Sequence, residues 1–165
     1  MSKTICGSVC SGRGRAKSHV ARFESGLSEI AGVKVVHGSL NLVLDRPIRL
    51  NEETAIFVDN RKKMLWPGVM EGLPIYVCRW ANAPLHIMEV LSEKHLRSTL
   101  HLKDGDNVAI ELHDCHLDST NIIERVTWIL IWAGRRQWHY SNDAYAALVR
   151  NLSRRLGCAQ KRGWL

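Results

Sequence analysis

The chain has 165 residues, 45% hydrophobic and 24% charged, with a net charge of +7. That is the profile of an ordinary soluble globular protein with enough apolar residues to bury a core, as one domain or one domain plus an appendage. The longest apolar stretch, VTWILIWAG at 126–134, is too short for a membrane span, and no uninterrupted apolar run opens the chain as a secretory signal would.

Five cysteines, an odd number without CxxC spacing, argue against a disulfide framework and for a reducing cytoplasm. The charge is uneven. Residues 1–114 carry 15 Lys/Arg against 13 Asp/Glu, and residues 115–165 carry 8 against 3. A basic tail of this kind contacts nucleic acid in some proteins, although a solvated helix face is the plainer reading.

In chain order, TICGSVCS (4–11) alternates as a strand, and GRGRAK (12–17) is a glycine-broken basic loop. ARFESGLSEIAG (21–32) has helical spacing, with Gly32 placed to end it. LVL after the polar HGSLN, TAIFVDN (54–60), GLPIYVCRW (72–80), LHIMEVL (85–91) and NVAIELH (107–113) read as strands, with NRKKM and KDGD as turns. SEKHLRSTLHL (92–102) reads as a helix capped by Ser92. Many short strands with two short helices predict a small β-barrel over residues 1–114.

Beyond it, residues 115–165 form a tryptophan-rich α/β extension that packs on the barrel or mediates assembly. Within it, RVTWILIWAG is expected as a strand. SNDAYAALVRNLSRRLG (141–157) is expected as a helix with Ser141 or Asn142 as cap, Ala144, Leu148, Leu152 and Leu156 as its apolar stripe and Gly157 as stop.

Three segments carry chemistry. In SGRGRAK, two glycines let backbone amides approach an anion, and Arg13, Arg15 and Lys17 add charge, although the pattern is neither GxxxxGK[ST] nor GxGxxG. In GSLN, Ser39 and Asn41 project hard oxygen donors to one face of a strand, as Mg²⁺ prefers; a polar bend satisfying its own backbone is the plainer alternative. Glu89 lies between Met88 and Val90, on the opposite face from both, and a carboxylate there needs a partner or a solvated surface. His101, His113, Cys115 and His116 can be drawn as a zinc cluster, but their spacing matches no familiar site.

Taken in order, GSVCSGRGRAK, HGSLNLVLD and IMEVLSEKHLRSTLHLKDGDNVAIEL resemble the CTP-dependent riboflavin kinases, a mainly archaeal family with a cradle-loop β-barrel. The resemblance covers about residues 5–113 and leaves the tail aside. It implies that Gly12, Arg13, Gly14, Arg15, Ala16 and Lys17 wrap the nucleotide phosphates, and that Ser39 and Asn41 hold Mg²⁺. It implies that Lys94, His95, Leu96 and Arg97 help bind CTP, and that Glu89 contacts the ribityl or phosphate end of the flavin. Catalysis would then rest on Lys17, stabilising the transferring group, and Glu89, orienting the attacking hydroxyl.

Departures from the family pattern bear on the acceptor. Ala16 replaces a glycine, and Arg15 an acidic residue. Ser39 replaces Thr, and Glu93 a proline. Ala81 stands where the family has a Thr near the flavin phosphate, with Asn82 beside it as a substitute. The expected reaction gives FMN and CDP in the cytoplasm, away from membranes. The alternatives are a kinase for another alcohol and a small β-barrel that binds nucleic acid.

Overall fold

The computed structural model describes residues 1–12, 35–36, 38–58 and 63–160. Nine strands are described: β1 (Ser2–Cys10), β2 (Leu40–Leu44), β3 (Arg49–Leu50), β4 (Ile56–Val58), β5 (Lys63–Met70), β6 (Leu73–Trp80), β7 (Ile87–Leu91), β8 (Asn107–His113) and β9 (Leu117–Asp118). The main sheet runs β4-β5-β6-β7-β2-β1-β8, and β5 also pairs with β8. That last pairing closes six antiparallel strands into a barrel and leaves β4 outside on β5. Closure removes the free edges that an open sheet would expose.

Alternation builds the interior. Ile5, Val9, Leu40, Leu42, Leu44, Met64, Trp66, Val77, Met88, Val90, Ile110 and Leu112 share one buried cluster. The intervening residues face outward, and many are buried too, beneath other parts of the chain. Strand β2 is buried along its whole length.

Strand β5 contains Pro67 and Gly68, which the sequence presents as breakers. Pairing with β4 ends at Leu65 and pairing with β8 begins at Gly68, so Pro67 falls in a gap where the missing N–H costs no bond on that side. Gly68 is needed for the crossing, because a Cβ there would lie 2.6 Å from Leu112 Cδ2 and 2.8 Å from the Glu111 carbonyl. The expected turn at NRKKM is therefore corrected at its end: Lys63 and Met64 already belong to β5.

The predicted helix at 92–102 shrinks to one turn, α1 (Leu96–Thr99). Ser92 does not cap it. Its hydroxyl accepts from the Lys94 amide at 3.3 Å and donates to the Pro74 carbonyl at 3.1 Å. The helix predicted at 21–32 lies outside the described residues.

The extension is helical where a strand was expected at 126–134: α2 (Ile122–Thr127) runs into a π-helical turn at Trp128–Trp132. β-Branched and aromatic residues favour a strand, but a capping box between Asn121 and Glu124 commits the segment to a helix. Then follow α3 (Trp138–Ser141) and α4 (Asp143–Arg155), the latter capped by the Asn142 side chain on the Tyr145 amide and followed by Gly157 at φ +66°. The face of α4 is also corrected. Ala146, Val149 and Ser153 are buried, whereas Leu148 and Leu156 are 60% and 45% exposed.

Side chains tie the extension to the barrel. Arg49 binds Glu124 and donates to the carbonyls of Gly157 and Ala159. The fully buried Arg79 donates to the carbonyls of Ile48, Leu85 and Ile87 and to the side chain of Gln160. Burial lowers its pKa to about 9, and Arg49 adds to the shift. Gln160 in turn donates to the Leu50 carbonyl at 2.9 Å. Among the described residues, no helix is long and apolar enough to cross a membrane.

Candidate functional site

The site grows from the barrel's outer face. Register places Cys10 beside Asn41, Asn41 beside Glu89, and Glu89 beside Cys78. Directly opposed residues on antiparallel strands share a face, so these four form one row across β1, β2, β7 and β6. Asn41 is 7% exposed. The next row contains Val43, Ile87 and Trp80, and Tyr140 of α3 packs over it.

Gly12 closes one side. A Cβ at this position would run into the Asn41 amide nitrogen, so the chain passes close against the amide and a side chain here would displace one or the other. The approach is held from below. Arg97 donates to the Cys10 carbonyl at 3.1 Å and pairs with Asp104 at 2.7 Å. The Ser11 side chain holds the Asp104 carboxyl below its usual range; burial opposes it and Arg97 adds to it. The KDGD turn serves the same end, since Gly105, at φ +93°, donates its amide to the Val9 carbonyl. Burial, then Asp104, raises the Cys10 thiol above its usual value, with Arg97 acting against them.

Ser39 precedes β2, and its hydroxyl is buried without a hydrogen-bond partner among the described residues. A buried orphan hydroxyl costs about 1–3 kcal/mol, which is unusual unless something absent from the fold alone satisfies it. With the Asn41 amide two residues on, it gives two neutral oxygen donors of the type Mg²⁺ accepts when it keeps water and phosphate as its other ligands. The residues present therefore fit that metal. A cavity of about 130 Å³ joins Ser39 to Lys94, His95, Leu96 and Arg97, so the second and third expected segments meet in space. Its volume is below the usual range of about 300–1,000 Å³ for a whole ligand.

Glu89 points away from Met88 and Val90, which are in the barrel core, and toward the outer row. It is neither buried in the interior nor freely solvated: Lys63 approaches it to 3.4 Å, with side-chain exposures of 14% for Lys63 and 21% for Glu89. Lys63 also lies 5.9 Å from the centre of the Trp80 ring. Burial pushes the neighbouring Cys78 thiol up to about 12, so it is no nucleophile.

Ala81 lies just past the end of β6, beyond Trp80. Asn82 has φ +66°, and its amide donates to the Gln160 carbonyl, so it serves a turn pinned by the extension. Arg13, Gly14, Arg15, Ala16 and Lys17 lie outside the described residues. Lys63 and Tyr140 went unread in the sequence, because β5 was not recognised and the extension had no position; Trp80 was read only as the end of a strand. The lone signal was Lys63 itself, two residues before Leu65 in what looked like a turn.

Among the described residues, no group of three His, Cys, Asp or Glu could hold a metal ion. His113 and Cys115 do meet, at 3.0 Å, but His101 stands apart in the turn after α1.

Residues 9–112 match the family model CTP-dep_RFKase, described as "Domain of unknown function DUF120". Three curated relatives are each named riboflavin kinase. The one from Staphylothermus marinus is 30% identical over 117 residues, 66% of this chain and 90% of its own length. That from Saccharolobus solfataricus is 27% identical over 66% of this chain and 73% of its own length. That from Thermococcus kodakarensis is 30% identical over 66% of this chain and 58% of its own length.

Proposed function

The chain belongs to the CTP-dependent riboflavin kinase family, and on that premise we propose that it phosphorylates riboflavin to FMN. The γ-phosphoryl group passes from CTP to the ribityl hydroxyl, whose proton leaves as the new P–O bond forms, and CDP departs. The observation that carries this reading is the outward row in which Asn41 stands beside Glu89 with Gly12 against the Asn41 amide, while Ser39, two residues before Asn41, lines the small cavity with Lys94 and His95.

Ser39 and Asn41 would hold Mg²⁺, which when bound neutralises charge on the phosphate oxygens. The rest falls to the chain. Gly12 brings the start of the loop against Asn41, and the segment through Lys17 wraps the phosphates. Arg97, committed to Cys10 and Asp104, positions that loop. Lys94 and His95 line the small cavity with Ser39 and face the nucleotide. Glu89, oriented by Lys63, takes the hydrogen bond of the attacking hydroxyl and accepts its proton. Most of the acceleration comes from positioning and charge neutralisation, as in phosphoryl transfer generally.

Ala81 offers no hydroxyl to the acceptor's phosphate end, so that contact falls to other groups. The test is incubation with riboflavin, Mg²⁺ and either CTP or ATP, with FMN followed by chromatography. FMN with CTP is the expected result. No product with either donor would remove the kinase assignment, and product with ATP alone would remove the nucleotide assignment.

A further inference from the structure

At the other end of β1 lies a second cavity, of about 540 Å³, on the seam between the barrel and the extension. Its walls come from Lys3 on β1, the loop at 46–48, the chain at 117–120 and the turn joining α2 to the π-helix. Lys3 is nine residues from Gly12, roughly 25–30 Å along a strand, so this cavity is separate from the row at Asn41.

We propose that this cavity binds a phosphorylated planar heterocycle, of mononucleotide size. Three cations, Lys3, Arg46 and Arg125, line it against a single acid, Asp118. Neither Lys3 nor Arg46 makes an ion pair with a described residue. Arg125 is steered by the Thr120 hydroxyl, which accepts from its Nε at 3.2 Å. That is the charge and fork geometry a phosphomonoester takes.

The lining is also apolar and aromatic in part, with Ile48, Leu117 and Trp128. The indole N–H of Trp128 is buried and meets no acceptor, a cost that a small ring rotation toward a ligand oxygen removes. Trp128 also opens the π-helical turn, a geometry that is rare and concentrated at functional sites. The volume falls within the range of about 300–1,000 Å³ usual for small-molecule sites.

The site does not depend on phosphoryl transfer at Asn41, and the test separates the two. FMN serves as the probe, being a phosphomonoester of a planar ring system. It is titrated into full-length Asn41→Ala protein carrying ¹⁵N-labelled tryptophan. The expected result is a saturable shift of one indole resonance, assigned to Trp128 by its absence in Trp128→Phe. Arg46→Ala together with Arg125→Ala weakens that binding at least ten-fold, and the same pair in otherwise wild-type protein leaves the initial rate of FMN formation unchanged.

No saturable shift, or a shift indifferent to the two arginine substitutions, overturns the proposal. So does inorganic phosphate binding as tightly as FMN, which would make the site a plain anion site. A short single-stranded oligonucleotide displacing FMN at lower concentration would reassign the cavity to nucleic acid. Failure of the kinase reading shows elsewhere, as absence of FMN from wild-type protein.

Discussion

Asn41 and Glu89 stand directly opposite each other on β2 and β7, so an amide and a carboxylate project side by side from the outer face of the barrel. Neighbouring strands are about 4.8 Å apart, close enough for one substrate to span both groups. On the proposed function, Asn41 serves the phosphate side and Glu89 the acceptor side from one strand pair.

Ser39 gives the sharpest test of the metal assignment, because its effects on activity and stability differ in sign. Its hydroxyl is buried and unpartnered among the described residues, so Ser39→Ala should leave stability unchanged or raise it by up to about 1 kcal/mol. FMN formation should fall roughly 10- to 100-fold, with the Mg²⁺ concentration for half-maximal rate rising. A loss of stability matching the loss of activity would make Ser39 a structural residue.

Gly12→Ala acts through Asn41. The added methyl would run into Nδ2, so the amide must turn or the loop must lift. Misplacing a positioning group by about 1 Å costs on the order of 10²-fold in rate. Gly12 is exposed and just beyond β1, so the melting temperature should change little. Steady-state kinetics beside a thermal melt checks both halves.

Glu89→Gln keeps size and hydrogen bonding but removes the base. The expected outcome is a fall in kcat of about 10²- to 10⁴-fold with a smaller change in the riboflavin KM. Lys63→Met removes only the partner 3.4 Å away, and should retain more activity. Equal losses in both variants would place the pair in the fold and outside the chemistry.

These three predictions concern residues that the sequence made visible. Ser39, Asn41 and Glu89 stood out as polar interruptions in apolar strands, which period-two alternation exposes. Lys63 did not, because Pro67 and Gly68 concealed β5, and their tolerance depends on a change of strand partner that only the closed barrel creates. The extension was misread at 126–134 because Val, Ile and Trp argue for a strand, and the Asn121–Glu124 capping box outweighs them. On α4 the helix was legible but its face was not. Leucine spacing pointed at Leu148 and Leu156, while Ala146 and Val149 are the buried ones, Val149 in a cluster with Trp132 and Cys158 of the extension itself.

His86 makes the fold acid-sensitive. It is buried with neither ring nitrogen hydrogen-bonded, and packs on Trp132 with ring centroids 5.1 Å apart. Burial, and then His139, Arg79 and Arg136, lowers its pKa from 6.5 to about 3. Between those values the unfolded chain binds the proton and the folded one does not, so stability falls as pH drops below about 6.5 and is lost progressively toward 3. At pH 4.5 the loss from this group is about 3 kcal/mol. His86→Phe should flatten that part of the curve and cost little at pH 7. Denaturant titrations at both pH values decide it, and an unchanged slope would remove His86 as the cause.

Arg49 and Glu124 hold the start and the end of the extension together. Glu124 is 1% exposed at the side chain, and its other oxygen accepts the Asn121 amide inside the capping box. Glu124→Ala leaves a largely buried guanidinium with carbonyl partners only, and breaking a buried pair from one side costs about 3–5 kcal/mol. Arg49→Met with Glu124→Leu removes both charges and should recover most of that loss. Because Arg49, Arg79 and Gln160 carry the extension's bonds into the barrel, helix ellipticity and tryptophan fluorescence should report one transition in wild type and in both variants. Two separated transitions would show that residues 115–165 fold apart from the barrel.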